Sequence, residues 1–218
     1  MGKLRTINSV GSLSGKTVLL RIDTDIDIED GRIVDDTRLR SAFPTIELLL
    51  KKGADINIVG HLGRPEPVLS IKNKVLSIKK EFSLKPIAEW FSKILNTKYQ
   101  ILNTVKLGSF TGWKITDRVN LVENIRVFKE EEENDSEFSR ELALLGDIYV
   151  NDAFAVSHRE HASIVGVTKF LPSYAGLHLQ KESEELSKIL DDPKRPLVVL
   201  IGGAKIETKL PLVSKMHA

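Results

Sequence analysis

Short apolar runs rich in valine and isoleucine recur along the chain, and each is bounded by charged or turn residues. Runs of this length and composition are typical of buried β-strands. The pattern therefore predicts strands at residues 17–23, 55–60, 118–124, 147–152 and 196–203.

Amphipathic segments separate these runs and predict helices. Residues 44–53 open with Pro44 and close with Gly53, and residues 85–95 carry Pro86 in the same opening position. Proline is favoured in the first turn of a helix and glycine just after the last turn. Two further helices are predicted at residues 136–146, closed by a glycine, and at residues 179–190.

The alternation of strands and helices predicts an α/β fold. We expect a parallel sheet with helices on both faces, a Rossmann-like three-layer α/β/α arrangement. Ligands of such sheets bind beyond the carboxyl ends of the strands. Turn residues at 190–196 precede an apolar run and predict a domain boundary. The expected organisation is a first domain at 1–175, a connecting helix and linker at 176–195, and the start of an unfinished second domain at 196–218.

Two acidic segments need separate interpretation. Residues 23–31 superficially resemble a calcium loop, but Ile28 and Val34 stand where an EF-hand needs glycine and glutamate. This segment instead predicts a hairpin-like loop with its tip at residues 29–31. The run at 129–137 predicts a solvated loop that leads into a helix, and no function follows from it.

Composition narrows the classes of function. With 218 residues, of which 41% are hydrophobic and 28% charged, the chain can bury a core. The 32 basic and 30 acidic residues nearly balance, so nucleic acid and membrane surfaces are not expected partners. The absence of cysteine excludes disulfides, thiol catalysis and thiolate zinc sites. No signal-peptide pattern or bilayer-length apolar segment is present, so we expect a soluble cytoplasmic protein.

Polar residues follow the predicted strands, where parallel strands bring them to one crevice. Any single arginine there is more often a surface ion-pair partner, and any single histidine a satisfied polar residue. Several cations crowded together need an anion, and arginine forks match phosphate or carboxylate oxygens. The group therefore favours a small phosphorylated acid as ligand. Its members are Asp23, Asp25, Arg38, Arg40, His61, Arg64, Asn124, Arg126, Asn151, Asp152, His158, Arg159 and His161.

A glycine pair with lysines follows the last predicted strand, at residues 202–209. Glycines let backbone amides approach an oxyanion, and a helix N-terminus adds positive potential. The spacing is not that of a Walker motif, and an ordinary strand-to-helix turn is the alternative interpretation.

Residues 35–65, 121–138, 147–167 and 202–209 together resemble the phosphoglycerate kinase family. The resemblance implies a two-domain hinge enzyme of glycolysis that moves a phosphoryl group between ATP and the carboxylate of 3-phosphoglycerate. It implies that residues 1–175 are the amino-terminal domain that binds 3-phosphoglycerate and that residues 176–195 are the connecting helix and linker. Residues 196–218 would be only the first strand and helix of a truncated nucleotide-binding domain. It also implies that the complete enzyme is a monomer that uses magnesium with ATP or ADP. We expect this chain alone to hold none of these cofactors.

The resemblance assigns roles to individual positions. Four basic side chains would bind the phosphate of 3-phosphoglycerate: His61, Arg64, Arg126 and Arg159. Asp23 would accept a hydrogen bond from the substrate hydroxyl, and Asp25 stands where the family has asparagine. The catalytic residues would be Arg38 and Lys205, which neutralise the phosphoryl group in transfer. The nucleotide contacts would be Gly202, Gly203, Lys205 and Lys209, and no residue is assigned to a metal.

Two other functions stay open at this stage. The chain could be a non-catalytic binding module for a small phosphorylated acid. It could also be a structural domain whose basic cluster pairs internally.

Overall fold

The computed structural model describes residues 4–66, 70, 78–95, 103–191, 193–198 and 200. Two compact units divide the chain, Met1–Gln180 and Lys181–Ala218. Most of the predicted strand at 196–203 lies outside the described residues. The same holds for the predicted nucleotide contacts Gly202, Gly203, Lys205 and Lys209. The three-part domain organisation stays a prediction.

Strands and helices alternate in the first unit. The strands are β1 (Thr17–Arg21), β2 (Ile28–Glu29), β3 (Arg32–Ile33), β4 (Asp55–Val59), β5 (Asn103–Leu107), β6 (Phe110–Lys114), β7 (Val119–Val122), β8 (Ile148–Asn151) and β9 (Ser173–Ala175). The helices are α1 (Thr37–Ser41), α2 (Phe43–Lys51), α3 (Lys85–Ile94), α4 (Lys129–Glu132), α5 (Ser136–Ala143) and α6 (Leu177–Asp191), of which α6 continues into the second unit.

Within the described residues, seven strands form one sheet in the order β5-β6-β7-β4-β1-β8-β9. The five strands from β7 to β9 run parallel, and β1 pairs with β4 on one side and β8 on the other. The α/β class is confirmed, whereas a wholly parallel sheet is wrong. Strands β5 and β6 are antiparallel because the two residues between Leu107 and Phe110 form a tight turn, with Gly108 at φ 57°.

Alternating side chains of the strands build a core on each face of the sheet. Val18 and Leu20 of β1 face one layer, and Leu19 faces the other. The first layer includes the buried residues Ile46 and Leu49 of α2 and Ile87, Ala88 and Phe91 of α3. The second includes Phe138 and Leu142 of α5 together with Tyr149 of β8. This arrangement is the expected three-layer packing.

The predicted turns and helix ends agree with the structure with one exception. Helices α2 and α3 carry proline in their first turn, and Asp30 and Gly31 have φ of 48° and 75° at the tip of the β2–β3 hairpin. The acidic run is not a solvated loop, because Glu130 and Glu131 in α4 are only 8% and 1% exposed. Among the described residues, no helix is both long and apolar enough to span a bilayer.

Candidate functional site

Polar side chains gather beyond the carboxyl ends of β1, β4, β7 and β8. Parallel pairing brings these strand ends to one edge of the sheet, as the sequence predicts. The cluster contains residues that the sequence singled out and others that it did not. We call it the carboxyl-edge cluster, and its members are Arg21, Asp23, Asp25, Arg38, His61, Arg126, Glu131, Glu132, Arg159, His161 and Ser163.

Arg21, the last residue of β1, is 1% exposed and connects several strand ends. Its Nε donates to Ser163 Oγ at 3.1 Å, its Nη2 donates to His61 Nδ1 at 3.0 Å, and its Nη1 donates to the carbonyl of Ile22. Burial lowers the pKa of Arg21, and the Glu131 carboxylate opposes this effect. Sequence reasoning missed Arg21, although a lone arginine inside an apolar strand run is an available signal.

His61 is buried where β4 ends. Gly60 precedes it because a Cβ there would lie 2.2 Å from Thr24 Oγ1, which donates to the His61 carbonyl at 2.7 Å. An arginine cannot accept a hydrogen bond, so His61 Nδ1 accepts from Arg21 and the ring proton is on Nε2. Burial, followed by repulsion from Arg21, lowers the pKa of His61 to about 2. The expectation of a cation here is wrong, because the ring is a neutral donor.

His61 Nε2 carries the ring proton on the side of the imidazole that faces Asp25. This nitrogen is buried and makes no hydrogen bond to any residue that the structure describes. Asp25 Oδ2, at 3.6 Å, is too far for a good hydrogen bond. A buried donor without a partner is costly, so this position favours an acceptor atom of a ligand.

Asp23, Asp25 and Arg38 form the second side of the cluster. Arg38 Nη1 donates to Asp23 Oδ2 at 3.2 Å and to the Asp25 carbonyl at 2.8 Å. The Asp25 carboxylate turns toward the loop that carries His61, where its Oδ1 accepts from Gly63 N at 2.8 Å. Asp25 thus fixes this loop, and it is 3.6 Å from His61 Nε2 through its other oxygen.

Asn124 connects the loops that follow β4 and β7. Its Oδ1 accepts from Leu62 N at 3.2 Å and Arg126 N at 3.1 Å, and its Nδ2 donates to the carbonyls of Leu62 and Phe82, both at 2.9 Å. The short helical turn at Ile125–Val127 starts at this cap. The position of Arg126 relative to the loop after β4 is therefore set by one buried amide.

Arg126 is 3% exposed and bridges two loops. Its Nε is 3.2 Å from Glu132 Oε1, and its Nη2 donates to His161 Nδ1 at 3.3 Å. Burial and then repulsion from Arg126 lower the pKa of His161 to about 4. His161 is therefore also neutral near pH 7, with its proton on Nε2.

Glu131 accounts for the buried part of the acidic run. Its Oε2 accepts from Ser163 N at 2.9 Å and its Oε1 accepts from Ser163 Oγ at 2.5 Å. Ser163 Oγ thus lies between the guanidinium of Arg21 and this carboxylate. Burial raises the pKa of Glu131, and Arg21 opposes the rise. Nothing in a run of like charges marks which carboxylate is buried, so the sequence did not reveal Glu131 or Ser163.

The two remaining predicted arginines differ in exposure. Arg159 is half-buried, and its charge lowers the pKa values of Arg21, His61, Arg126 and His161, which places it among them. Arg64 is exposed, three residues after His61, and has no hydrogen bond or ion pair to any described residue.

Other strand-end residues have structural partners. Asp152, after β8, accepts from His178 N at 2.8 Å and Leu179 N at 3.1 Å through Oδ1, so it holds the first turn of α6. Gly176 is glycine because a Cβ there would lie 2.2 Å from the same oxygen. Asn151 Nδ2 donates to Ser157 Oγ at 3.0 Å. Away from the cluster, Arg40 pairs with Asp36 at 2.8 Å.

The chemistry of the cluster is that of an oxyanion site. Arginine forks and a neutral imidazole donor lie together here, and the carboxylates among them are already engaged by internal partners. No three His, Asp or Glu side chains of the described residues form a group suited to a metal ion. What remains available is hydrogen-bond donation to a multiply charged ligand.

Comparisons with known proteins identify the family of this chain. The sequence model of the family described as phosphoglycerate kinase matches residues 7–218. The chain belongs to the phosphoglycerate kinase family. The phosphoglycerate kinase of Borrelia garinii subsp. bavariensis is 38% identical over 216 residues, which cover 98% of this chain and 53% of that protein. The phosphoglycerate kinase of Moorella thermoacetica is 43% identical over 207 residues, covering 94% and 50%.

Solved phosphoglycerate kinases have the same fold. The structure of the Coxiella burnetii enzyme matches with a TM-score of 0.78 and 34% identity, covering 97% of this chain and 51% of that one. The structure from Pyrococcus horikoshii OT3 matches with a TM-score of 0.73 and 26% identity, covering 97% and 52%. The chain thus spans about half the length of the phosphoglycerate kinases it matches.

Proposed function

We propose that this chain is the substrate-binding half of a phosphoglycerate kinase of glycolysis. In this role it binds 3-phosphoglycerate or 1,3-bisphosphoglycerate at the carboxyl-edge cluster, for reversible phosphoryl transfer with ATP. The observation that carries the proposal is the buried, neutral His61 beside Arg21, Arg126 and Arg159, whose Nε2 proton has no acceptor among the residues that the structure describes. A phosphate oxygen supplies the acceptor that this donor lacks.

Each basic residue has a distinct part in binding. Arg126 and Arg159 supply charge, and Arg64 is the exposed arginine that is free to reach a bound anion. His61 adds a hydrogen bond without adding a charge, which avoids repulsion with the adjacent Arg21. Asp23 is 7% exposed, and it accepts from Arg38 while presenting an acceptor to the substrate hydroxyl.

Catalysis in this scheme needs positioning and charge neutralisation. The attacking group of 3-phosphoglycerate is already a carboxylate, so no general base is required. The Arg38 side chain is 54% exposed, and its anchors are Asp23 and the Asp25 carbonyl. We infer that it neutralises the phosphoryl group in transfer, with Lys205 from the nucleotide side.

The proposal also assigns contacts with the nucleotide. Gly202, Gly203, Lys205 and Lys209 lie outside the described residues, and they are proposed as contacts of the ATP phosphates. Magnesium bound with the nucleotide would neutralise phosphate charge, and we assign none of its ligands to this chain. We infer a cytoplasmic enzyme that is monomeric when complete.

Calorimetric titration with 3-phosphoglycerate tests the site. Arg64→Ala removes an exposed arginine with no hydrogen bond or ion pair to any described residue, so the fold should persist. The dissociation constant should rise about thirtyfold, equivalent to about 2 kcal/mol. Lys51→Ala is the matched control. Its side chain is 78% exposed at the end of α2, at the opposite edge of the sheet, so it should bind like the wild type. Equal affinity of Arg64→Ala and wild type would reject this site.

A further inference from the structure

A continuous chain of hydrogen bonds runs from the acidic helix α4 to His61. Glu131 accepts from Ser163 Oγ at 2.5 Å, Ser163 Oγ accepts from Arg21 Nε at 3.1 Å, and Arg21 Nη2 donates to His61 Nδ1 at 3.0 Å. All four residues are buried, and each is 1% exposed. We call this the Glu131–His61 chain.

The direction of every proton in the Glu131–His61 chain is fixed. Arg21 has only donors, so both of its partners must accept from it. The Ser163 hydroxyl has one proton, and since its oxygen accepts from Arg21, that proton goes to Glu131. Glu131 also accepts from Ser163 N through its other oxygen, as expected of an ionised carboxylate.

We propose that Glu131 is a positioning residue, which acts through Ser163 and Arg21 to keep the His61 proton on Nε2. A neutral imidazole has two tautomers, and the other one would place a lone pair on Nε2. That lone pair would face Asp25 Oδ2 at 3.6 Å and would repel an incoming phosphate oxygen. Glu131 makes the required tautomer the stable one by holding the arginine that donates to Nδ1.

Glu131 also supplies the charge that lets Arg21 remain at this place. A buried guanidinium is costly unless a carboxylate and hydrogen bonds compensate for it. Arg21 and Glu131 influence each other's pKa in the direction of mutual stabilisation. The role of the Glu131–His61 chain in substrate binding rests on the function proposed above. Its effect on the His61 tautomer does not.

The test reads the His61 tautomer directly in the ligand-free protein. Long-range proton–nitrogen NMR of ¹⁵N-histidine-labelled chain at neutral pH should show wild-type His61 with its proton on Nε2. In Glu131→Gln, the NH₂ group of the new amide faces the N–H and O–H donors of Ser163, so the contact with Ser163 is lost. Arg21 then loses its Ser163 partner, and the tautomer of His61 with its proton on Nδ1 should appear. Glu132→Gln is the matched control, because it removes the same charge one residue away, beside Arg126 rather than Ser163, and should leave the tautomer unchanged.

A second variant covers the case in which Glu131→Gln does not fold. Ser163→Ala removes one hydroxyl, breaks the chain between Arg21 and Glu131, and leaves both charges in place. It should also release the Nδ1-protonated form of His61. A pure Nε2-protonated His61 in the folded Glu131→Gln or Ser163→Ala protein would overturn the proposal, because a purely structural Glu131 predicts that result.

Titration with 3-phosphoglycerate then separates this inference from the proposed function. If both hold, the variant with mixed tautomers binds 3-phosphoglycerate about tenfold more weakly than the wild type does. If the tautomer changes while no protein binds 3-phosphoglycerate, the positioning role stands and the proposed ligand is wrong. If binding is normal in wild type but the tautomer never changes, the positioning role alone fails.

Discussion

The neutral state of His61 links the site to stability. The folded-state pKa of His61 is about 2 and that of His161 about 4, against about 6.5 in an unfolded chain. As the pH falls, each histidine takes up a proton in the unfolded state before it does so in the folded state. The contribution of each histidine to the free energy of unfolding is therefore complete above pH 6.5 and is lost as the pH falls. Between pH 6 and pH 5 each should remove about 1 kcal/mol from the free energy of unfolding.

Denaturant unfolding at several pH values checks this expectation. His61→Gln removes one of the two titrating rings, so its free energy of unfolding should fall about 1 kcal/mol less than that of wild type over the same interval. The quantity compared is the change in the free energy of unfolding between pH 6 and pH 5. A loss of stability that is the same at both pH values therefore does not affect the comparison. Parallel pH curves for the two proteins would show that His61 is protonated in the fold.

Asp25 offers a second test at a single residue. Asp25→Asn keeps an oxygen for Gly63 N but removes a negative charge that lies 3.6 Å from His61 Nε2. Because the proposed ligand is an anion, we expect the variant to bind 3-phosphoglycerate about fivefold more tightly, equivalent to about 1 kcal/mol. Calorimetry should compare it with Asp27→Asn, an exposed carboxylate two residues away. Unchanged or weaker binding by Asp25→Asn would show that its charge does not face the ligand.

At the scale of elements, Glu123 joins the end of β7 to the start of α3. Its Oε1 accepts from Leu84 N at 2.6 Å and Asn124 N at 2.9 Å, and its Oε2 accepts from Ser83 Oγ at 2.8 Å and Trp113 Nε1 at 3.3 Å. A carboxylate is needed here because all four partners are donors.

Replacement of this carboxylate should loosen the contact between the two elements. Glu123→Gln turns one acceptor group into a donor that opposes other donors, and we expect a loss of about 2 kcal/mol in the free energy of unfolding. Glu89→Gln, at a 48% exposed position in α3, should change it by less than about 0.5 kcal/mol. Chemical denaturation of both variants provides the comparison, and similar stabilities would contradict the role of Glu123.

Elements with strong local signals were predictable from the sequence. The Val- and Ile-rich runs gave β1, β4, β7 and β8, and prolines marked the starts of α2 and α3. Strands β5 and β6 lack such a signal: β5 is polar and largely exposed at the sheet edge, and β6 has glycine where Leu121 O approaches. Strand β9 has three residues, too few to show a period.

Residues of the carboxyl-edge cluster also divide into those with a local sequence signal and those without one. His61 and Arg126 were predictable because they directly follow apolar runs, and topology places such residues together. Arg21 lies inside an apolar run and Glu131 inside a charged one. Their partnership depends on Ser163, which is 142 residues from Arg21 in sequence. Contacts of that range leave no trace in local pattern, and neither does the neutral state of His61, which is set by burial.

For the whole molecule, the prediction concerns turnover by the 218-residue chain on its own. The 218-residue chain corresponds to about half of each phosphoglycerate kinase, and transfer requires a positioned nucleotide phosphate as well as the acceptor. We expect no activity above background with ATP, magnesium and 3-phosphoglycerate in a coupled assay, with a full-length phosphoglycerate kinase as positive control. Turnover that scales with protein concentration and disappears in Arg38→Ala would contradict this prediction.

The anchoring of α6 at Asp152 has a mechanical consequence. Asp152 N donates to the Arg21 carbonyl at 2.8 Å, and the Asp152 side chain holds the first turn of α6. A displacement of the first turn of α6 is therefore transmitted through Asp152 to the end of β1. The residue at that end is Arg21, whose guanidinium donates to His61 Nδ1.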